Sequence, residues 1–288
     1  TSDQSTATTD MFNTLQRCSY PQYTELWNAG DPGSERIRSL LEASSNAQHD
    51  LPRTWEDALF RGMRSGRARR SLGAMDAART QSRPEEWANA ASHAVGVLLV
   101  FAAWPWLMQI GTRQGGVIGG AAMSVFVLTM ALQYGISALY HGLPPGRAKL
   151  WARSADHAAI YLLIAGSATP FALGVLGGDA GAATCALIWA LALAGAWLKM
   201  MRRLTGKRLS TGLYVLFGWL ALLLLWPGLQ HIDRTALLWL FGGGMAYMVG
   251  AGFFVFDASL RFGHFIWHLF VMAGSSCHVC AAIWPSIA

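Results

Sequence analysis

Seven stretches of the chain stay apolar for about 20 residues, the length an α-helix needs to cross a bilayer. They fall at roughly 89–110, 117–141, 155–175, 180–201, 211–229, 235–256 and 264–285. Their hydrophobic positions run on instead of alternating. That pattern predicts helices over a barrel, since a helix satisfies its backbone polar groups within one segment. The expected fold is an all-α membrane protein, a seven-transmembrane helix bundle over residues 86–286. Pro105 and Pro170 lie inside these runs and predict kinks. Gly242, Ala246 and Gly250 recur at helical spacing and predict close helix packing. Ahead of the runs, residues 1–85 are polar and read as a cytoplasmic N-terminal extension. Within it, TWEDALFRGMRSGRARR (residues 54–70) offers Thr54 as an N-cap with Trp55, Leu59 and Met63 on one face. A surface-lying amphipathic helix and a solvated basic linker both fit that segment.

Composition sharpens the class. The 288 residues are 53% hydrophobic and only 13% charged, too apolar for an ordinary soluble domain. Of the 16 acidic residues, only Asp156, Asp179, Asp233 and Asp257 follow Glu86. The formal net charge of +6 comes from basic residues flanking the apolar runs, so anionic membrane lipid, not nucleic acid, is the expected partner. Cys18, Cys185, Cys277 and Cys280 are too scattered for a disulfide framework. No short apolar run precedes a small-residue cleavage site, so no removable targeting signal is expected. In the short loops, nine Lys and Arg residues fall on the side of the N-terminus and two, Arg113 and Arg234, on the other. This bias places the N-terminus in the cytoplasm and the C-terminus outside, in a plasma or inner membrane.

With that orientation, Ser137 and His141 close the second run, Asp156 opens the third, and His264 and His268 open the seventh, all at the cytoplasmic leaflet. Residues four apart share a helix face, so His264 and His268 point the same way, as do Ser137 and His141. A lone intramembrane histidine usually bonds a neighbouring carbonyl, but these residues reach a common depth from three helices. Three imidazoles with an open fourth position suit a catalytic zinc ion. Glu86, Asn89 and His93 lie along one face of the first run, where ties between helix ends explain them equally well. His157 points about a quarter-turn from Asp156 and is left out of the site. Cys277, His278 and Cys280 fall near the opposite face of the membrane and read as packing. The seventh run contains no lysine, which excludes a retinal Schiff-base pigment.

The motifs EEWANAASHAVG, SALYH, DHAAIYLLIAGSATPF, LSTGLYVLFGWLALL and GHFIWHLFVMAGSSCH follow one another over residues 85 to about 285. In this order they resemble the hemolysin III family, within the larger progestin and adiponectin receptor superfamily of seven-span proteins. Residues 1–84 have no counterpart in the compact bacterial members. The resemblance implies a zinc ion near the cytoplasmic face held by His141, His264 and His268, with Asp156 holding the attacking water and Ser137 close behind. Superfamily relatives are described as hormone receptors with ceramidase-like activity, whereas the family's name comes from a haemolytic one. The leading expectation is a zinc-dependent membrane hydrolase of a lipid amide or ester, with a ceramide-like substrate. Asp156 would take the water's proton and Ser137 would help to stabilise the oxyanion. The alternatives are a receptor or signalling scaffold with a structural zinc and, last, a pore-forming or haemolysin-like protein.

Overall fold

The computed structural model describes residues 81–283. The chain divides into two units, Thr1–Ala77 and Ala78–Ala288. The expected extension over 1–85, with its helix at 54–70, therefore lies almost wholly outside the described residues.

Among the described residues every regular element is helical: α1 (Arg83–Gly142), α2 (Arg147–Pro170), α3 (Gly178–Met200), α4 (Lys207–Leu229), α5 (Arg234–Phe256) and α6 (Gly263–Ile283). All six are long and apolar enough to cross a membrane. With large side chains such as Leu98, Leu216, Leu223 and Leu238 on their exposed faces, they make an integral multi-pass membrane protein.

The first two apolar runs lie in one element. The 60-residue α1 leaves helical backbone geometry only at Gly115 and Gly116. Gly116 has φ 60°, a conformation open to glycine and strained for other residues. The two arms of α1 fold back on each other from this point. Gly111 and Gly119 are in backbone contact, Trp104 Nε1–H donates to Ser124 Oγ at 3.3 Å, and the rings of His93 and Tyr134 lie 4.9 Å apart. The break thus sits at the paired glycines and not at Pro105, where the dihedrals remain helical. At Pro170, α2 widens into a π-helical turn, Phe171–Leu176, a turn type that relieves the missing proline N–H.

The start of α1 is fixed by reciprocal capping. Glu85 accepts from the Ser82 backbone N–H at 2.9 Å and from its hydroxyl at 2.7 Å. The other Glu85 oxygen accepts from the Phe262 N–H at 2.8 Å, tying this end to the entry of α6. The second helix, α2, is central and packs against α1, α3, α4 and α6. α5 packs closely along α6, whereas α4 and α5 touch sparingly. Gly250 meets Phe270 and Trp267 of α6, as close packing requires, but it is Gly243 and not Gly242 that faces α6.

Candidate metal centre

Three buried histidines converge at the end of the bundle where α1 closes and α6 opens. His141 comes from the last turn of α1, His264 and His268 from the first two turns of α6. Their candidate ligand atoms lie within 4.8 Å of one another. The ring centroids are 4.9 Å apart for His141 and His264, 5.0 Å for His141 and His268, and 4.8 Å for His264 and His268.

Each ring is engaged by an oxygen through Nδ1. His141 Nδ1 lies 2.7 Å from Glu86 Oε2, His264 Nδ1 lies 3.0 Å from Asp257 Oδ2, and His268 Nδ1 lies 3.2 Å from the Asn89 carbonyl and from Ser92 Oγ. A proton on Nδ1 donates in each case, which turns the lone pair of Nε2 inward. The Nε2 atoms of His141 and His264 are buried with no hydrogen-bond partner among the described residues. Buried imidazole nitrogens rarely go unpaired. Oxygen partners at the outer nitrogen and a free inner nitrogen form the arrangement that orients histidines towards a metal ion. The three side chains could hold one ion, and an all-imidazole set suits zinc and its neighbours better than magnesium or calcium.

The two carboxylates are themselves paired. Lys149 Nζ lies 3.1 Å from Glu86 Oε1, and Lys207 Nζ bonds Asp257 Oδ1. Burial opposes ionisation of Asp257, but the bonds from His264 and Lys207 outweigh it and hold the carboxyl below its ordinary value. Asp257 was not evident from the sequence. It sits between α5 and α6, seven residues ahead of its histidine; its only signal was its rarity as an acid after Glu86. Glu86 and Asn89, ambiguous in the sequence, both contact the triad. His93 stacks on His268 with centroids 3.8 Å apart and planes 6° apart.

Asp156 and Ser137 are buried and, with His264 and His268, line one end of a cavity of about 190 Å³. Gln133 Nε2–H donates to Asp156 Oδ1 at 3.1 Å. Asp156 is not among the convergent ligand atoms. His157, left out of the site on the quarter-turn argument, also lines this cavity. The sequence placed it correctly on α2, but neighbouring α5 leaves room on that side, with Phe254 5.9 Å away edge to face. His278 lines the cavity too, at its far end, where the sequence suggested only packing. Between the ends the wall is largely hydrocarbon, including Leu163, Phe171, Leu225 and Met245. Trp219, Met245 and Met248 belong both to that wall and to the exposed surface, so the cavity is open on its α4–α5 side.

The profile of the family described as "Haemolysin-III related" matches residues 81–279. "Hemolysin-3" of Bacillus cereus is 36% identical over 197 residues, 68% of this chain and 90% of that protein. The "Hemolysin-3 homolog" of Bacillus subtilis (strain 168) is 36% identical over 192 residues, 67% of this chain and 90% of that protein. No solved structure matches the chain. The family match spans all the helices described, from the capping box ahead of α1 into the last turns of α6, and on that ground the chain belongs to the Haemolysin-III related family.

Proposed function

We propose that this membrane protein is a zinc-dependent hydrolase of a lipid amide or ester, with His141, His264 and His268 holding the metal. The observation that carries the reading is the inward-facing, unpaired Nε2 of His141 and His264 beside an apolar cavity whose near end bears Asp156 and Ser137. Zinc in such a site supplies Lewis acidity and makes hydroxide available at neutral pH. The chain's own residues do the rest. Asp156, held by Gln133, accepts the proton of the attacking water, the Ser137 hydroxyl, one turn before His141, donates to the developing oxyanion, and Asp156 returns its proton to the leaving amine or alcohol as the acyl C–N or C–O bond breaks. The apolar wall takes a lipid chain that enters through the α4–α5 opening, and it keeps bulk water from the reacting bond. A polar junction between long tails, as in a ceramide-like amide, suits a cavity with this polarity. Each arm of α1 crosses the bilayer in this reading, making seven crossings with the N-terminus in the cytoplasm, as the nine-to-two distribution of basic loop residues supports.

The Lys149–Glu86–His141 and Lys207–Asp257–His264 chains favour a second reading, in which the metal clamps helix ends in a receptor or scaffold. Asp156→Asn separates the two. As a hydrolase, the variant keeps its zinc and thermal stability and loses about 100-fold or more in ceramide hydrolysis. His264→Ala loses the zinc itself. A zinc-loaded wild-type protein that leaves ceramide intact, beside an active relative assayed in parallel, rules the hydrolase reading out.

A further inference from the structure

A polar side chain on the cavity wall is still open. Near the metal end Gln133, Ser137, Asp156, His264 and His268 are all buried, whereas His157 is half-buried and lines the same cavity. Its backbone carbonyl accepts from the Tyr214 hydroxyl at 3.0 Å. Its ring meets Phe254 and makes no hydrogen bond among the described residues. The inner nitrogens of His141 and His264 are sealed by their surroundings, but those of His157 are not. The hydroxyls on this wall are already committed: Ser167 and Thr211 donate to the carbonyls of Ile164 and Lys207, as Tyr214 does to that of His157. The place of the ring is also set. His157 follows Asp156 in α2, and the Phe254 ring that it meets edge to face lies 5.6 Å from the His264 ring. A group bound at His157 therefore stands one aromatic ring away from the metal-facing histidines.

We propose that the His157 imidazole hydrogen-bonds a hydroxyl a few bonds from the scissile carbonyl, so that the cavity selects N-acyl amino alcohols over plain N-alkyl amides. The proposal rests on the reading of the cavity as a lipid site. A neutral imidazole has one donor and one acceptor nitrogen, which matches a hydroxyl, itself both donor and acceptor. The described lining holds no lysine or arginine to neutralise a phosphate headgroup. Its carboxylate, Asp156, is engaged by Gln133 and does not stand free for an ammonium. An uncharged polar group is what remains. A hydroxyl buried against hydrocarbon without a partner weakens binding, whereas one that reaches His157 satisfies both groups.

The test uses the full chain in detergent with metal removed, and measures displacement of a dansyl-labelled fatty acid. The competitors are N-hexadecanoylethanolamine and N-propylhexadecanamide, in which a methyl group replaces the hydroxyl, compared at equal mole fraction in the micelle. The hydroxylated amide is expected to bind about tenfold more tightly. In the wild-type protein, moving the hydroxyl to the far end of the acyl chain is expected to remove that gain. His157→Phe and His157→Leu are each expected to cancel the preference while the propyl amide binds as before. Equal binding of the two amides to the wild-type protein overturns the proposal, as does a far-end hydroxyl that binds equally well, and neither outcome depends on a variant that folds. A preference that survives either substitution overturns it too. Displacement by neither amide removes the lipid-site reading and this proposal together, whereas equal displacement removes only the proposal. Because no turnover is measured, the preference can stand while hydrolysis fails, which removes only the hydrolase reading.

Discussion

His141, His264 and His268 each have one imidazole nitrogen committed to an oxygen on the outer side. Removing an outer charge should therefore weaken metal binding without removing a ligand. Glu86→Gln and Asp257→Asn are each expected to lower metal affinity by about 10- to 100-fold, read by competition with a chromogenic chelator. That His264 and His268 turn one face towards His141 was legible in the sequence because spacing of four fixes a helix face. Asp257 was not legible, since its approach to His264 depends on the path of the α5–α6 connection, for which no periodicity exists. His157 shows the converse limit. Its angular position on α2 followed from helix geometry, but what stands opposite that position is a property of α4 and α5.

Among the elements, the turn in α1 is set by small residues at the crossing of its two arms. Gly111 and Gly119 touch backbone to backbone, leaving no space for a methyl group. Gly119→Ala is expected to destabilise the protein by about 1–3 kcal/mol through overpacking, measured by thermal or denaturant unfolding in detergent. The control is Gly212→Ala, exposed on α4 with nothing within 4 Å of the added atom. There the lower backbone entropy of alanine should leave stability unchanged or raise it by about 0.5–1 kcal/mol. Apolar runs located the two arms and bracketed the break between 110 and 117, but not the residues at which it falls. The segment between them is itself helical almost to Gly115, and hydropathy does not distinguish a solvent-facing helical turn from a loop. Likewise, Gly242 and Gly243 are indistinguishable by composition, and only the rotation of α5 against α6 selects Gly243 for the interface.

For the whole molecule, the candidate metal site joins elements distant in sequence. Its three histidines come from α1 and α6, and its carboxylates are held by Lys149 at the start of α2 and Lys207 at the start of α4. Metal binding to the folded state alone should therefore stabilise the entire bundle. Chelation is expected to lower the Tm, and free zinc at about 100 times its Kd should restore about 2.7 kcal/mol, with the Tm rising as zinc is raised. A Tm indifferent to zinc would mean that the three histidines bind none. By itself the sequence determined the membrane class, the helical character of the apolar runs and the histidines that meet, because each depends on hydropathy or spacing along a helix. The tertiary structure alone decided the Glu86 and Asp257 contacts, the cavity among α2, α4, α5 and α6, and the place of His157 on its wall. Those follow from how neighbouring helices rotate and where they leave space, and side chains from several elements set both together.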